Sequence, residues 1–393
     1  MRVLHLTTEF PPIIYGGLGT AIGGLVHASA RAGIDVAVLL VGGRSTSSYW
    51  SAPEAEQLPG AATSTRGEDP GIRLLHASYH EALAMGVRWL RGWKPDVLHL
   101  HSFWLWPLAR ELRKRTGVPL VYTVHSLDRA EYEIGQGPPE CLAQWGTQQE
   151  LIASADLVVA LTRSERELVE TYCPTARSRV RIVGNGIEDR PDALAATKRA
   201  LDRNPLCVLF SGRFVDRKGV HELMAAIPIV LDHSRDTCFV FAGGHRHCSG
   251  DEMSRHWLPA GLEKYRAQVH FTGWLSTEQL AMLYRAADIL VVPSWYEPFG
   301  MVILEGMLFG LPIAASSVGG PAEILDHGRT GLLFPPRDAA GLAQALIRLI
   351  QFPALRQRLG EAAAREVRQS WLYTRVIERM REVYVEVMSL QPA

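Results

Sequence analysis

The chain has 393 residues, 47% of them apolar and 21% charged, which is enough for two domains with separate cores. Its net charge is +0, so no electrostatic footprint for a polyanion exists and nucleic acid is not an expected partner. Five cysteines, without a C-x-x-C pair, argue against a disulfide framework or a zinc ribbon and fit a reducing compartment. No apolar run approaches the roughly 20 residues of a membrane span. The start, "MRVLHLTTEFPP", lacks the apolar core and cleavage site of a signal peptide, so a cytoplasmic location is expected. Five lysines stand against thirty-six arginines, which reads as compositional bias.

In chain order, the first half carries "RVLHLTT" (2–8), "DVAVLLVG" (35–42), "DVLHLHS" (96–102), "PLVYTVHS" (119–126), "DLVVALT" (156–162) and "VRIVGNG" (180–186). Short apolar runs separated by helical patterns or loops predict a parallel sheet covered on both faces. Residues 53–71 are polar and rich in Gly and Pro, and read equally as a loop near a substrate or as plain surface. The stretch "GIEDRPDALAATKRALDRNP" (186–205) is polar and helix-prone, and the linker is placed at 188–205.

The strand pattern then restarts with "LCVLFSG" (206–212), "CFVFAGG" (238–244), "QVHFTGW" (268–274), "DILVVPS" (288–294), "LPIAASS" (311–317) and "GLLFPP" (331–336). Helical periodicity begins near Asp338 and ends in "SWLYTRVIERMREVYVEVM" (370–388). The expectation is an α/β chain of two Rossmann-like, doubly wound domains, 1–187 and 206–369, with a helix over 370–393 that packs back on the first domain. A cleft between such domains is a common ligand site.

Three stretches could carry chemistry. "YGGLGTAIGGL" (15–25) follows the first strand and opens a helix, where backbone N–H groups can seat phosphate. It is not the dinucleotide fingerprint, because counting from Gly17 the third glycine would fall on Ile22. A ligand-facing loop is favoured over a turn that only packs helix on sheet. "SGRFVDRKGV" (211–220) brings Arg213 and Lys218 to the same sheet edge. It has the outline of a P-loop, but Gly219 stands where Ser or Thr should follow the lysine. On this stretch alone, a phosphate site and a solvated charge cluster fit equally.

The third is "SWYEPFGMVILEGMLFGLP" (294–312), an apolar segment with two carboxylates, Glu297 and Glu305. Pro298 suits a first helical turn and Gly300 permits close approach. Glu297 then sits at the helix start and Glu305 about two turns inside. Such a helix offers free N–H groups and a positive dipole end to a pyrophosphate, with carboxylates placed to accept from hydroxyls.

Together these segments resemble the retaining GT-B glycosyltransferases of family 4 over nearly the whole chain. "EPFGMVILE" resembles their E-x7-E motif, "GGLGT" their first loop, "VGNGI" (183–187) their interdomain turn and "GRFVDRKGV" their phosphate motif. "GGPAEILDHGRTGLLFPP" (319–336) resembles their glycine-rich run after the motif helix. The resemblance implies a GT-B fold, with two facing Rossmann-like domains and an interdomain cleft. It implies that the first domain is the acceptor side. Glu297 and Phe299 would contact the donor sugar and Glu305 the ribose. Gly16, Gly17, Arg213, Lys218, Gly300, Met301 and Val302 would hold the diphosphate, and His125 would lie over the sugar.

The implied activity is transfer of a sugar, with retention, from a nucleotide-diphosphate sugar to a hydroxyl acceptor, which could be a small molecule, a glycan or a lipid-linked sugar. The commonest donors of the family suggest a UDP-sugar as co-substrate, with no further cofactor. No Asp-x-Asp occurs, so metal-independent transfer fits better. Two departures stand out. Gly184 replaces the usual proline of the interdomain turn, and Ile14 and Tyr15 precede the glycines where glycogen and starch synthases carry K-x-GG. The second weakens a polysaccharide-synthase reading. A same-fold phosphorylase or sugar-nucleotide epimerase, and a non-catalytic sugar-nucleotide-binding protein, are the alternatives.

Weaker clusters are "HLH" (99–101) and "HRHC" (245–248); neither shows a matching ligand pair nearby, so no metal site is expected. Trp104, Trp106 and Arg113 to Arg115 could serve an acceptor or an anionic membrane. Core packing and a solvated helix end are preferred for them.

Overall fold

A computed structural model describes residues 1–42, 65–66, 72–90, 92–190, 193, 205–244 and 248–390. The segment 53–71 (apart from 65–66), most of the expected linker and two histidines of "HRHC" lie outside them. The chain divides into two compact units. One comprises Met1–Tyr132, Pro138–Gly186 and Tyr373–Ala393, the other Glu133–Gly137 and Ile187–Leu372.

In the first unit β1 (Arg2–Thr7) lies between β2 (Asp35–Gly42) and β5 (Val97–Leu100), all parallel, with His5 beside His99. Beyond β5 follow β6 (Leu120–Val124), β7 (Leu157–Ala160) and β8 (Val180–Ile182). On the other side, β4 (Ile72–Ser78) pairs with β2, and β3 (Thr65–Arg66) closes the edge antiparallel to β4. The central strands are buried at nearly every position, which is why they read as continuous apolar runs. The sequence reading missed β4. Its "IRLLHAS" alternates buried and open positions near the sheet edge, so it lacks the continuous run that marked the others.

Helix α1 (Gly17–Arg31) follows β1, and α2 (Tyr79–Leu90) packs on β4 and β2. After β5, α3 (Trp106–Thr116) leads to β6; α4 (Asp128–Glu133) and α5 (Pro139–Ser154) lead to β7, and α6 (Arg163–Tyr172) follows it. Side chains alternate along a strand, so residues two apart share a face. Val3, Val36, Val38, Val97 and Val121 lie in one core with Ile22, Leu25 and Val26 of α1.

In the second unit the strands are β9 (Cys207–Gly212), β10 (Cys238–Gly243), β11 (Val269–Gly273), β12 (Ile289–Val292), β13 (Ile313–Ser316) and β14 (Leu332–Phe334). They are parallel in the order β11-β10-β9-β12-β13-β14, so the order reverses between β9 and β12. The first unit reverses likewise between β1 and β5. Both orders are of the doubly wound kind that binds ligands beyond the carboxyl ends of the strands at the reversal. The helices are α7 (Val220–His233), α8 (Gly250–Trp257), α9 (Thr277–Ala286), α10 (Met301–Leu308), α11 (Gly319–Ile324), α12 (Ala339–Gln351) and α13 (Pro353–Ser370). The core joins Val208, Phe210, Phe239 and Phe241 to Leu223, Ile227 and Val230 of α7 and to Leu342, Leu346 and Leu349 of α12.

The last helix, α14 (Tyr373–Ser389), belongs to the first unit. Tyr373, Val376, Ile377, Met380, Val383, Tyr384 and Val387 recur at helical spacing and are buried in the same core as α1. The Tyr373 hydroxyl donates to the carbonyl of Ala21 over 2.9 Å. Among the described residues no helix is long and apolar enough to cross a membrane. If α14 is an integral wall of that core, Tyr373→Ala should cost about 3–5 kcal/mol. Tyr373→Phe, which removes one hydrogen bond, should cost about 1 kcal/mol. Urea unfolding of the two variants checks both values, and equal costs would mean that the ring is not packed as described.

Candidate active site

In the second unit, two loops leave the sheet at the β9–β12 reversal. One carries Arg213, Arg217 and Lys218, and the other carries Ser294 to Gly300. Backbone and side chain tie them together: Trp295 N–H donates to the Arg217 carbonyl over 2.7 Å, and Arg217 Nη1 donates to the Tyr296 carbonyl over 3.2 Å. Gly219 makes the approach possible. It has φ +70°, and a Cβ there would lie 1.9 Å from the carbonyl oxygen of Pro293.

The tie brings Lys218 onto Glu297. Lys218 Nζ donates to Glu297 Oε2 in a short ion pair, and Ser294 Oγ donates to the same oxygen over 3.0 Å. Glu297 is only 7% exposed. Burial works to raise its pKa, but Lys218, Arg217 and the Ser294 hydroxyl together hold it below the usual carboxylate value. Burial is also the largest influence on Lys218 and lowers its pKa; Glu297 opposes the shift, while Arg217 and Arg213 add to it. Glu297 Oε1 takes no hydrogen bond from the described residues. The carboxylate is thus anchored through one oxygen and can accept through the other.

The helix α10 begins at Met301, so Glu297 lies in the loop before it rather than at the helix start, and Glu305 is about one turn inside. The N-cap is Gly300 at φ 94°, and no side chain caps it, so Met301 and Val302 open the helix with a positive dipole end. Phe299 is buried edge-on against Trp371. The glycine-rich run of α11 closes on this turn: Gly320 N–H donates to the Glu297 carbonyl over 2.9 Å, and a Cβ on Gly320 would lie 1.8 Å from the Phe299 carbonyl oxygen.

Glu305 lies further along α10. Tyr284 of α9 donates its hydroxyl to Glu305 Oε2 over 2.6 Å, and Phe309 stacks on the Tyr284 ring at 5.5 Å. Burial raises the Glu305 pKa, with the Tyr284 hydrogen bond opposing. Oε1 takes no hydrogen bond from the described residues. Each carboxylate of the E-x7-E pair therefore has one tethered oxygen and one open oxygen.

The first unit has a sheet edge of its own at the β1–β5 reversal. Thr8, just past β1, bonds through its backbone N–H and hydroxyl to Ser102 Oγ, just past β5, at 3.1 and 2.9 Å. Gly16 is the N-cap of α1 and Gly17 its first residue, again without a side-chain cap at that position. The buried carboxylate of Glu9 accepts from Tyr15 N–H at 2.8 Å and Gly19 N–H at 3.2 Å. Some N–H groups of this glycine loop are thus already claimed within the protein.

His125 follows β6, and its Nε2 bonds to His101 Nδ1 at 3.1 Å. His101 Nε2 bonds in turn to His5 Nδ1 at 3.0 Å. His99 binds the Tyr384 hydroxyl through Nδ1 and Thr123 Oγ1 through Nε2, both at 2.7 Å. The expectation that "HLH" lacks nearby ligand partners needs correction: His5 of the neighbouring strand places a nitrogen within 4.8 Å of nitrogens of His99 and His101.

The structure thus brings Lys218 and Glu297 into contact, sets Arg213 near them, and puts Glu305 on the same helix; Gly16, Gly17 and His125 lie in the first unit. Arg217, Ser294, Tyr284, Glu9, His5 and His101 were missed as site partners. Arg217 and Ser294 adjoin motif residues and could have been suspected, whereas Tyr284 carries no local signal. Trp106 is a buried core residue, and Arg113 is held by the Ser154 carbonyl and Asp156, each at 2.7 Å.

Two doubly wound units, with carboxylates and cations gathered at a strand-order reversal, define an α/β protein of the kind that seats ligands beyond the carboxyl ends of its strands. The comparisons agree. The Glycosyl transferases group 1 family profile matches residues 194–366, and the Glycosyltransferase Family 4 profile matches residues 15–190. A glycogen synthase of Mycobacterium tuberculosis is 30% identical over 98% of this chain and 94% of its own. The structure of a sucrose-phosphate synthase from Thermosynechococcus elongatus is similar with a TM-score of 0.78, at 24% identity over 100% of both chains. Anabaena HepE in complex with UDP-glucose gives a TM-score of 0.74 at 18% identity, covering 98% of this chain and 100% of that one. The chain belongs to the family 4 glycosyltransferases, carries the Rossmann-like units of the GT-B fold, and is a glycosyltransferase.

A pair buried in this way makes removal of one partner costlier than removal of both. Lys218→Met should destabilise by about 3–5 kcal/mol. Adding Glu297→Gln should recover part of that loss, a coupling that a double-mutant cycle in urea reads directly. The depressed carboxyl contributes stability that is complete above the usual carboxylate range and is lost as pH falls through its lowered value. The acid limb of a stability–pH curve should therefore shrink in the double variant.

Proposed function

We propose that the enzyme transfers a sugar, with retention of configuration and without a metal, from a UDP-sugar to a hydroxyl acceptor. The observation that carries this reading is the Lys218–Glu297 pair, set beside the uncapped start of α10. A diphosphate would meet Lys218, Arg213 and the N–H groups of Gly300, Met301 and Val302, all positive where charge develops on the leaving group. As the phosphate draws on Lys218, Glu297 keeps Ser294 and turns its open Oε1 to sugar hydroxyls. Glu305, oriented by Tyr284, takes the ribose hydroxyls with its own open oxygen.

In the first unit, His125 and the Gly16–Gly17 backbone are assigned to the transferred sugar and the phosphate by resemblance to the family. The bond between the anomeric carbon and the diphosphate oxygen breaks, and the acceptor oxygen joins the same face. The acceptor proton passes to the departing phosphate. UDP-glucose in the similarly folded HepE supports uridine as the base. The missing lysine before the glycines, where Ile14 and Tyr15 stand, favours an acceptor other than a growing glucan.

A thermal-shift panel of nucleotide sugars tests the donor, because a ligand at 100 times its Kd adds about 2.7 kcal/mol. UDP-sugars should raise the melting temperature above the ADP- and GDP-sugars. Glu297→Gln should lower turnover by roughly 10²–10³-fold. Glu305→Gln should weaken UDP and UDP-sugar equally, by about tenfold for one lost hydrogen bond. Unchanged turnover in Glu297→Gln would remove the assignment of this site.

A further inference from the structure

The imidazoles of His5, His101 and His125 are joined end to end in the first unit, by way of His5 Nδ1 to His101 Nε2 and His101 Nδ1 to His125 Nε2. A neutral imidazole carries hydrogen on one nitrogen only, so all the bonds of such a chain must point the same way. The far end selects the direction. His5 is fully buried, and its Nε2 has no hydrogen-bond partner among the described residues. Were the hydrogen on that nitrogen, a buried donor would be orphaned, whereas an unpaired acceptor is better tolerated.

His5 therefore holds its hydrogen on Nδ1 and donates to His101, which donates from its own Nδ1 to His125. We infer that His5 and His101 are positioning residues that lock His125 with its hydrogen on Nδ1, so that this edge, unbonded among the described residues, offers a donor and no lone pair. This deepens the proposed role of His125 at the transferred sugar and rests on it: the ring can donate to a sugar oxygen but cannot act as a general base. Burial supports neutrality throughout, holding His5 and His125 down at about 3 and His101 well below the ordinary histidine value. His99 leaves the direction unaffected, since its partners are hydroxyls that can donate or accept. A divalent ion at His5, His99 and His101 would compete with hydrogen bonds already made by both nitrogens of His99 and of His101.

The test is ¹⁵N-histidine NMR of the full chain near neutral pH, with the His125 signals assigned by their loss in His125→Asn. The two-bond ¹H–¹⁵N pattern should show hydrogen on Nδ1 of His125, His101 and His5. Hydrogen on His125 Nε2, an imidazolium, or a stoichiometric metal on the purified protein would each overturn the inference. His101→Phe should free the His125 tautomer and lower kcat on the order of 10²-fold, the usual cost of losing one preorganised donor, with little change in donor KM. His101→Asn, which keeps a donor near the Nδ1 position, should restore the tautomer and most of the rate. A wild-type chain with the expected spectrum but no transfer from any nucleotide sugar would sink the functional reading and leave the tautomer assignment standing.

Discussion

Each unit of this chain is governed by one topological constraint: the strand order reverses beside its first strand. Loops that leave neighbouring strands in opposite directions cannot pack over one another, so the sheet edge opens there. In the second unit the opening lies between β9 and β12, and in the first between β1 and β5. Lys218 and Glu297 come from the loops bordering the former, Thr8 and Ser102 from those bordering the latter. The chemistry follows from where the backbone diverges.

What fills the opening in the second unit is a buried ion pair, and burial gives it its character. Desolvation works against both charges, and mutual attraction offsets that only when hydrogen bonds complete the arrangement. Ser294 completes it for the carboxylate, and Arg217 braces the loop that presents it. In the proposed function, a diphosphate would compete for Lys218 and leave the carboxylate to accept from sugar hydroxyls. Tyr284 performs the corresponding tethering for Glu305.

Much of the fold was legible because parallel strands buried on both faces must be continuously apolar. Twelve such runs stood out, and each holds a strand. The strand that escaped, β4, failed that test because its burial alternates toward the edge. Residues 370–388 were legible as a helix from their spacing, with the first domain as the expected partner; the contacts with α1 that seat it came from the tertiary structure. In the candidate site, the eight-residue step from Glu297 to Glu305 was visible, and so were the cations after the first strand of the second half.

By itself, then, the sequence determined the alternation of strand and helix, the glycines that allow loops to approach, and the types of group at each sheet edge. These are local properties, set by side-chain chemistry and by the periods of strand and helix. Only the tertiary structure decided the pairings: Lys218 with Glu297 across 79 positions, Tyr284 with Glu305 across 21, and His5 with His101 across 96. Such partners are chosen by strand order and register, which bring distant segments side by side. No local pattern encodes the orphaned nitrogen of His5, because it arises from the packing that surrounds it.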